Sequence, residues 1–433
     1  MQLSSDKKAR RNYFKSTRER PPNEAFDWTP FRSAEKRFKA KFPRPDLSDI
    51  LDLALLDNDR IEEVERGGWK GSADVSKIRP LRTIDEDGKG RNIFLLPQIP
   101  GLVLLPGYLS HECQRELVSW SLCDHARPPN ETSLDTHYVL PREGIWSTHV
   151  RYRTHGEALT EQLILPRAVT SENAAKQPEP PGPRQLVSNK PADPSNFDDL
   201  SQELKLPAAP SPTVRPTRAS ELLYKLRWAN IGWYYHWGSK QYDFKRDKVG
   251  VDGIVSQICK RIVRQINWAD VFASHDTKPH QDESDWGPGG PEWESWDATY
   301  EPDAGIVNYY QLKDTLMGHV DRSEVCATSP LVSLSLGNAA IFLVGGLSRD
   351  VEPVPILLRS GDALVMAGPG CRRAYHGVPR ILEGTVPPHL QSSGSEQDGW
   401  EHLAEYLQTS RINVNVRQVF PKGFDPMNSA KPR

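Results

Sequence analysis

The chain has 433 residues, 37% of them apolar, with 37 prolines and a formal net charge of −2, which is ample for a large core with extended segments attached. The near-neutral balance excludes a general attraction to polyanions, so any contact with nucleic acid must be local. Five scattered cysteines (Cys113, Cys123, Cys259, Cys326 and Cys371) without C-x-x-C spacing exclude a zinc or disulfide framework, and with no apolar run near ~18 residues and no signal peptide the chain is expected to be soluble and intracellular, with no membrane partner.

Residues 1–44 carry 13 Lys or Arg against 5 Asp or Glu. Tyr13, Phe14, Phe31, Phe38 and Phe42 interleave with basic clusters at Lys7–Arg11 and Lys36–Lys41, a pattern that can bind phosphates and stack on bases. It reads equally well as a solvated arm. Residues 47–56 read as a short amphipathic helix packed on the core or a partner. Residues 1–91 are therefore expected to be a basic arm with short helices, partly disordered. The runs Ile93–Pro97 and Leu102–Leu105 read as strands leading to a helix capped by Ser110 and ending near Leu122. They place the start of the main domain at 92, with its end at 425 and a tail over 426–433.

Residues 155–218 hold eleven prolines among Ser, Ala and charged residues, which predicts a disordered insertion. The stretch Leu226–Tyr242 is the most aromatic in the chain and supplies flat side chains of the kind a flipped or single-stranded base stacks on. A packed core cluster is the competing reading. Ile254–Val263 has apolar residues at helical spacing, with Lys260, Arg261 and Arg264 outward, and predicts a packing helix. His280 and Asp282 form an H-x-D tripeptide in a Gly- and Pro-rich acidic stretch without strand periodicity, and read as a loop.

His319 and Asp321 form a second H-x-D, now on a segment of strand character. Residues two apart on a strand share a face, so both can meet one ion. His376 lies far enough downstream for intervening strands to deliver it. Two imidazoles and one carboxylate on one face of an iron leave positions open for a co-substrate and oxygen. Between these ligands Val332, Leu334 and Leu336 alternate with Ser333 and Ser335, and the runs 340–344, 356–359 and 363–367 are separated by turn residues. This predicts a barrel-like antiparallel sheet. A smaller Ser/Gly/Gln-rich insertion spans 384–399, and a helix around Trp400–Leu407 precedes the last strand. There Arg411, Asn413, Asn415 and Arg417 occupy one face. Buried guanidinium groups need carboxylates, and a dicarboxylate co-substrate satisfies them.

The order N-x-Y, H-x-D, distant H and R-x-N-x-x-x-R, closely matched over roughly 300–420, resembles the AlkB family of Fe(II)/2-oxoglutarate dioxygenases. Asn-Tyr-Tyr at 308–310, His319-Val-Asp-Arg-Ser-Glu324 and Val416-Arg-Gln-Val419 are most similar to its eukaryotic homologue-one branch. The resemblance implies a mainly β fold with flanking helices, a double-stranded β-helix (jelly roll) with a nucleotide-recognition lid. It implies that His319, Asp321 and His376 hold Fe(II), and that Asn308 and Tyr310 bond 2-oxoglutarate. It also implies that Arg411 pairs with the distal carboxylate, Asn413 supports the pocket and Arg417 lies near the carboxylate at the metal. Trp233 takes the place of the base-stacking aromatic, with Tyr242 a second candidate. Bacterial members carry an acid two places after the metal Asp. Here Ser323 stands there with Glu324 following, so Glu324 is the candidate substrate contact and the branch guides the substrate.

The implied reaction consumes O2 and 2-oxoglutarate to demethylate bases in nucleic acid, with 1-methyladenine in tRNA first and N6-methyladenine or other alkylated bases in single-stranded DNA, including repair, second. Oxidation of 5-methylcytosine in tRNA and a protein-directed reaction on histone are the alternatives. The protein is expected to be a monomer of nucleus and cytoplasm, or of the mitochondrion.

Overall fold

Strand Leu331–Gly337 sits near the centre of an eight-stranded sheet. Its Val332, Leu334 and Leu336 enter a core covered by helices. Leu331 faces the other way, as do Ser333 and Ser335 by strand alternation. The serines are buried, so the alternation marks a polar interior and not a wet surface. The computed structural model describes residues 29–84, 90–155, 163–168, 191–193, 195–272, 293–392, 399–420 and 426. The large sheet runs, in spatial order, Arg79–Ile84, Gly90–Leu95, Leu102–Leu105, Ala363–Met366, Leu331–Gly337, Ser410–Arg417, Ala304–Gln311 and Trp228–Gly232. A second sheet runs Leu316–His319, His376–Ile381, Ala340–Val344 and Val354–Leu358. Every pairing in both sheets is antiparallel. Two such sheets facing one another across a buried layer form the expected double-stranded β-helix.

The helices lie behind the large sheet. Ser110 caps His111–Ser119 by accepting from the Cys113 N–H, and the helix continues as a wider π turn over Trp120–His125. Gly253–Gln265 buries Val255, Ile258, Cys259, Ile262 and Val263, the face its spacing predicts. All five cysteines are unpaired, and no described helix is long and apolar enough to cross a membrane.

The boundary at 92 is corrected, because the chain from 29 onward is built into the domain. Helix Pro30–Lys39 buries Phe31 and Phe38, and with Leu47, Ile50 and Trp69 they cover Ile341, Leu343 and Leu357 on the outer face of the small sheet. Phe31 and Phe38 are thus core residues and not stacking surfaces. Phe42 is exposed, and Tyr13 and Phe14 lie outside the described residues. Leu51 bridges Ile356 beside the edge strand, so the segment also caps that edge. Arg359, fully buried, donates from Nε and Nη2 to the two oxygens of Asp52 at 3.1 and 2.8 Å and from Nη2 to the Trp69 carbonyl at 2.9 Å.

Disorder across 155–218 is corrected in part. Leu163–Ile164 pairs with Thr217–Arg218, and helix Phe197–Gln202 sets Phe197 against Phe244 and Phe420 at ring distances of 5.5 and 5.4 Å. Of the smaller insertion, Thr385, Val386 and Leu390 are buried. In both, a few large apolar residues spaced among prolines dock on a preformed cluster, which an average over the whole segment hides. The His280 and Asp282 tripeptide, read as a loop, lies outside the described residues.

Candidate metal centre

Antiparallel pairing of Leu316–His319 with His376–Ile381 puts His319 directly opposite His376. The rings stand 4.5 Å apart. Asp321, just past the strand end, brings Oδ1 to 3.6 Å from His319 Nε2. One ligand atom from each of the three residues lies within 4.8 Å of the others. His319 Nδ1 lies 3.0 Å from the Met317 carbonyl and His376 Nδ1 lies 3.0 Å from the Ala374 carbonyl. A carbonyl can only accept, so both Nδ1 atoms carry the proton and both Nε2 lone pairs point at the cluster.

Burial, and then His319, push His376 down to about 4, keeping it neutral. Burial acts to raise Asp321, but the charge of Arg417, and then interaction with the neighbouring imidazoles, hold its carboxyl below the ordinary range. A neutral His376 imidazole beside an ionised Asp321 carboxylate is a combination that metal binding requires. The facial set of two His and one carboxylate fits Fe(II) with positions left open.

The last strand lies between Leu331–Gly337 and Ala304–Gln311, with Arg411 opposite Tyr310 and Asn413 opposite Asn308. This register separates two adjacent tyrosines. Tyr310 faces the inner layer, while Tyr309 turns to the helices and bonds the Ser121 carbonyl at 2.6 Å. Asn308 reaches Asn413 at 3.5 Å, and Asn413 donates to Ser333 and the Leu334 carbonyl at 2.8 and 3.0 Å.

Arg411 is buried, with Nη1 on the Asn338 carbonyl at 3.0 Å, Nη2 on Ser335 Oγ at 2.8 Å and Nε without a partner. Among the described residues it has no carboxylate partner within salt-bridge distance, and burial lowers it to about 10. An uncompensated buried guanidinium is costly, so this environment fits a carboxylate brought in by a bound molecule. At the other end of the strand Arg417 donates from Nη1 to Asp321 Oδ2 at 3.0 Å and to Glu324, and from Nη2 to Asn415 at 2.7 Å. It orients the carboxylate ligand.

The aromatic candidates are corrected. Trp233 is buried and edge-on to Phe244 and Phe420, at ring distances of 5.3 and 6.2 Å, so it offers no open face for stacking. Tyr242 is closed between Tyr235 and Phe244, and its hydroxyl lies 3.5 Å from Glu324. Glu324 is fully buried and committed to Arg417. These three therefore make a wall behind the metal site, and tight packing of the aromatic run against Phe420 is what closes it.

Two supports had no sequence signal. Arg373 joins the Asp321 carbonyl (2.8 Å) to the Ala192 carbonyl (3.0 Å), and the Ala192 N–H donates to the Arg322 carbonyl at 2.8 Å. The middle of the Pro-rich insertion is thereby fastened to the metal loop. Glu35, buried on the N-terminal helix, accepts from the Gly318 N–H beside His319. Glu35→Ala leaves that N–H without its acceptor. It is expected to lower stability by about 1–3 kcal/mol and divalent-metal affinity by about tenfold or more, measured by urea unfolding and metal titration. Unchanged metal affinity would remove Glu35 from the support of the site.

A model described as the 2OG-Fe(II) oxygenase superfamily matches residues 195–417. The chain is 29% identical over 409 residues to a DNA N(6)-methyladenine demethylase, ALKBH1A, of Arabidopsis thaliana, covering 91% of this chain and 97% of that protein. It is 26% identical over 396 residues to the tRNA demethylase abh1 of Schizosaccharomyces pombe, covering 90% and 96%. It is 34% identical over 349 residues to the nucleic acid dioxygenase ALKBH1 of Mus musculus, covering 75% and 66%.

Proposed function

Because the chain belongs to the 2OG-Fe(II) oxygenase superfamily, in its AlkB-like branch, we propose that it oxidatively demethylates bases in nucleic acid, with 1-methyladenine in tRNA as the favoured target. It is a 2-oxoglutarate-dependent dioxygenase using Fe(II) and O2. The observation that carries the reading is the conjunction of the His319–Asp321–His376 cluster with a buried Arg411 that lacks a carboxylate partner among the described residues. Nucleic acid as the substrate class is supported by the three relatives, named as DNA, tRNA and nucleic acid enzymes.

In this reading His319, Asp321 and His376 hold the metal. Arg411 receives the distal carboxylate of 2-oxoglutarate, with Asn308 and Tyr310 beside it. With Fe(II) held by these residues the site would supply O2 activation, one oxygen atom going to succinate as 2-oxoglutarate loses CO2 and the other to the N-methyl group, which would be released as formaldehyde. The chain's own residues do the positioning. Two backbone carbonyls fix the imidazole tautomers, Arg417 aims the Asp321 carboxylate, and the buried Trp233, Tyr242 and Glu324 back the site.

Arg411→Met is expected to raise the KM for 2-oxoglutarate about ten- to a hundredfold, the worth of a charge-assisted bond pair, with a smaller change in kcat. Initial rates of succinate formation measure it, and a KM within threefold of wild type would refute this placement of 2-oxoglutarate. The function itself is tested by turnover on tRNA carrying 1-methyladenine, single-stranded DNA carrying N6-methyladenine, and a methylated histone peptide. Formaldehyde from tRNA supports the favoured target, formaldehyde from DNA moves it to the Arabidopsis-like reading, and formaldehyde from peptide alone overturns nucleic acid altogether.

A further inference from the structure

Beside the metal centre, across a shared wall of tyrosines, lies a cavity of about 610 Å3 that contains none of the metal or 2-oxoglutarate candidates. Trp228 and Trp237 stack within it at a ring distance of 4.7 Å and 24°. Tyr235 meets Trp237 edge-on at 4.9 Å. Trp237 is 40% exposed, so a large flat surface is held rigid at an opening. Single-stranded nucleic acid is bound through such surfaces, because every base has a face to stack.

The lining around the aromatics carries cations and carboxylates side by side. Arg246, whose guanidinium lies 3.1 Å above the Tyr234 ring centre, stands on the lining with Arg167 and Lys205. The same lining carries the carboxylates Asp135, Asp243 and Glu131, the last accepting a long bond from Asn230 at 3.4 Å. Burial, opposed by Arg246 and Arg167 and reinforced by Asp135, raises Glu131 to about 7. It therefore both donates and accepts near neutral pH. A bare polyanion has no use for such a group, and a purely apolar ligand has no use for the three cations. A nucleotide uses all of them: a base face for the indoles, a base edge for Glu131 and a phosphate for the cations.

We propose that this cavity is a second base subsite, holding the nucleobase next to the one presented to the metal. The proposal rests on the nucleic-acid reading above. Its position gives the occupant a route to the chemistry. Tyr235 packs edge-on against Tyr242 at 5.5 Å, the Tyr242 hydroxyl reaches Glu324, and Glu324 pairs with the Arg417 that holds Asp321. Ser323 Oγ lies 3.4 Å from the Tyr235 hydroxyl, so the metal loop touches the same wall. A base in the cavity would rest against that wall and set the register of the strand relative to the metal.

The test is a cycle of protein and strand changes, read as Kd by fluorescence anisotropy with the Fe(II)- and 2-oxoglutarate-loaded protein. The probes are a labelled single strand with one methylated base, and the same strand with a tetrahydrofuran abasic residue on either side of that base. Trp237→Ala is expected to weaken the intact strand about ten- to a hundredfold. Removing the neighbouring base on one side should weaken wild-type binding to a similar extent, and the two losses should not multiply. Trp237→Phe keeps a stacking face and should retain most of the affinity, which separates stacking from a folding defect. Glu131→Gln should give a severalfold loss. Unchanged affinity in Trp237→Ala, or losses that multiply, would overturn the subsite while leaving the demethylase reading intact. A wild-type protein that binds none of these strands would overturn both.

Discussion

His319→Ala is expected to abolish succinate formation and to weaken Fe(II) binding by far more than the ten- to hundredfold loss typical of removing an outer-shell partner. The ligand atoms of His319, Asp321 and His376 converge within 4.8 Å, and each imidazole is already locked by a backbone carbonyl 3.0 Å from Nδ1. The remaining pair after substitution is one imidazole and one carboxylate that Arg417 also holds, which is too few donors to compete with water. The His319 side chain is 36% exposed, so its removal leaves little cavity and the melting temperature should hardly move. Equilibrium dialysis under anaerobic conditions, with thermal unfolding as the control, decides the matter. Fe(II) affinity within a fewfold of wild type would mean that the metal sits elsewhere.

The second large effect is on stability and involves none of the metal candidates. Asp52→Asn removes the charge that meets Arg359 through two hydrogen bonds at 2.8 and 3.1 Å, with side chains 0% and 1% exposed. A guanidinium left buried without its carboxylate costs about 3–5 kcal/mol. Urea unfolding should show that loss as a lower midpoint. The paired change Asp52→Leu with Arg359→Met should recover much of it, because an apolar pair of similar volume replaces a broken ion pair well. The loss should also loosen the segment around Leu51 and Trp69, since Arg359 ties the Trp69 carbonyl as well. Stability unchanged in Asp52→Asn would show that water or another carboxylate compensates Arg359.

The metal cluster, the arginine strand and the sheet were legible in the sequence because each depends on short periodicities. A two-residue repeat puts His319 and Asp321 within reach of one ion and Arg411 in line with Asn413, whatever lies around them. The same repeat separates Tyr309 from Tyr310, although only the pairing of Arg411 with Tyr310 says which of the two faces inward. Helices such as Gly253–Gln265 were readable for the same reason, their apolar residues falling on one face at a spacing near ~3.6.

Composition misled where a few residues outweigh an average. Phe31 and Phe38 sit in a basic stretch that reads as a solvated arm, yet they lie on one face of a helix that covers the small sheet. Ala192 and Phe197 lie in a Pro-rich stretch that reads as disordered, yet they dock beside Trp233 and the metal loop. The resemblance puts Trp233 in the place of a base-stacking aromatic, and only its packing against Phe244 and Phe420 shows that neither face is open.

The sequence by itself determined which residues are the candidates for the metal and the co-substrate, since residue type and strand spacing are local properties. The tertiary structure alone decided what surrounds them: that Glu324 holds Arg417, that Glu35 and Arg373 brace the metal loop, and that Trp237 instead of Trp233 presents an open ring. Those contacts join residues far apart along the chain, and which of many buried polar or aromatic groups meet is set by the packing of whole sheets and helices, a quantity no local pattern contains.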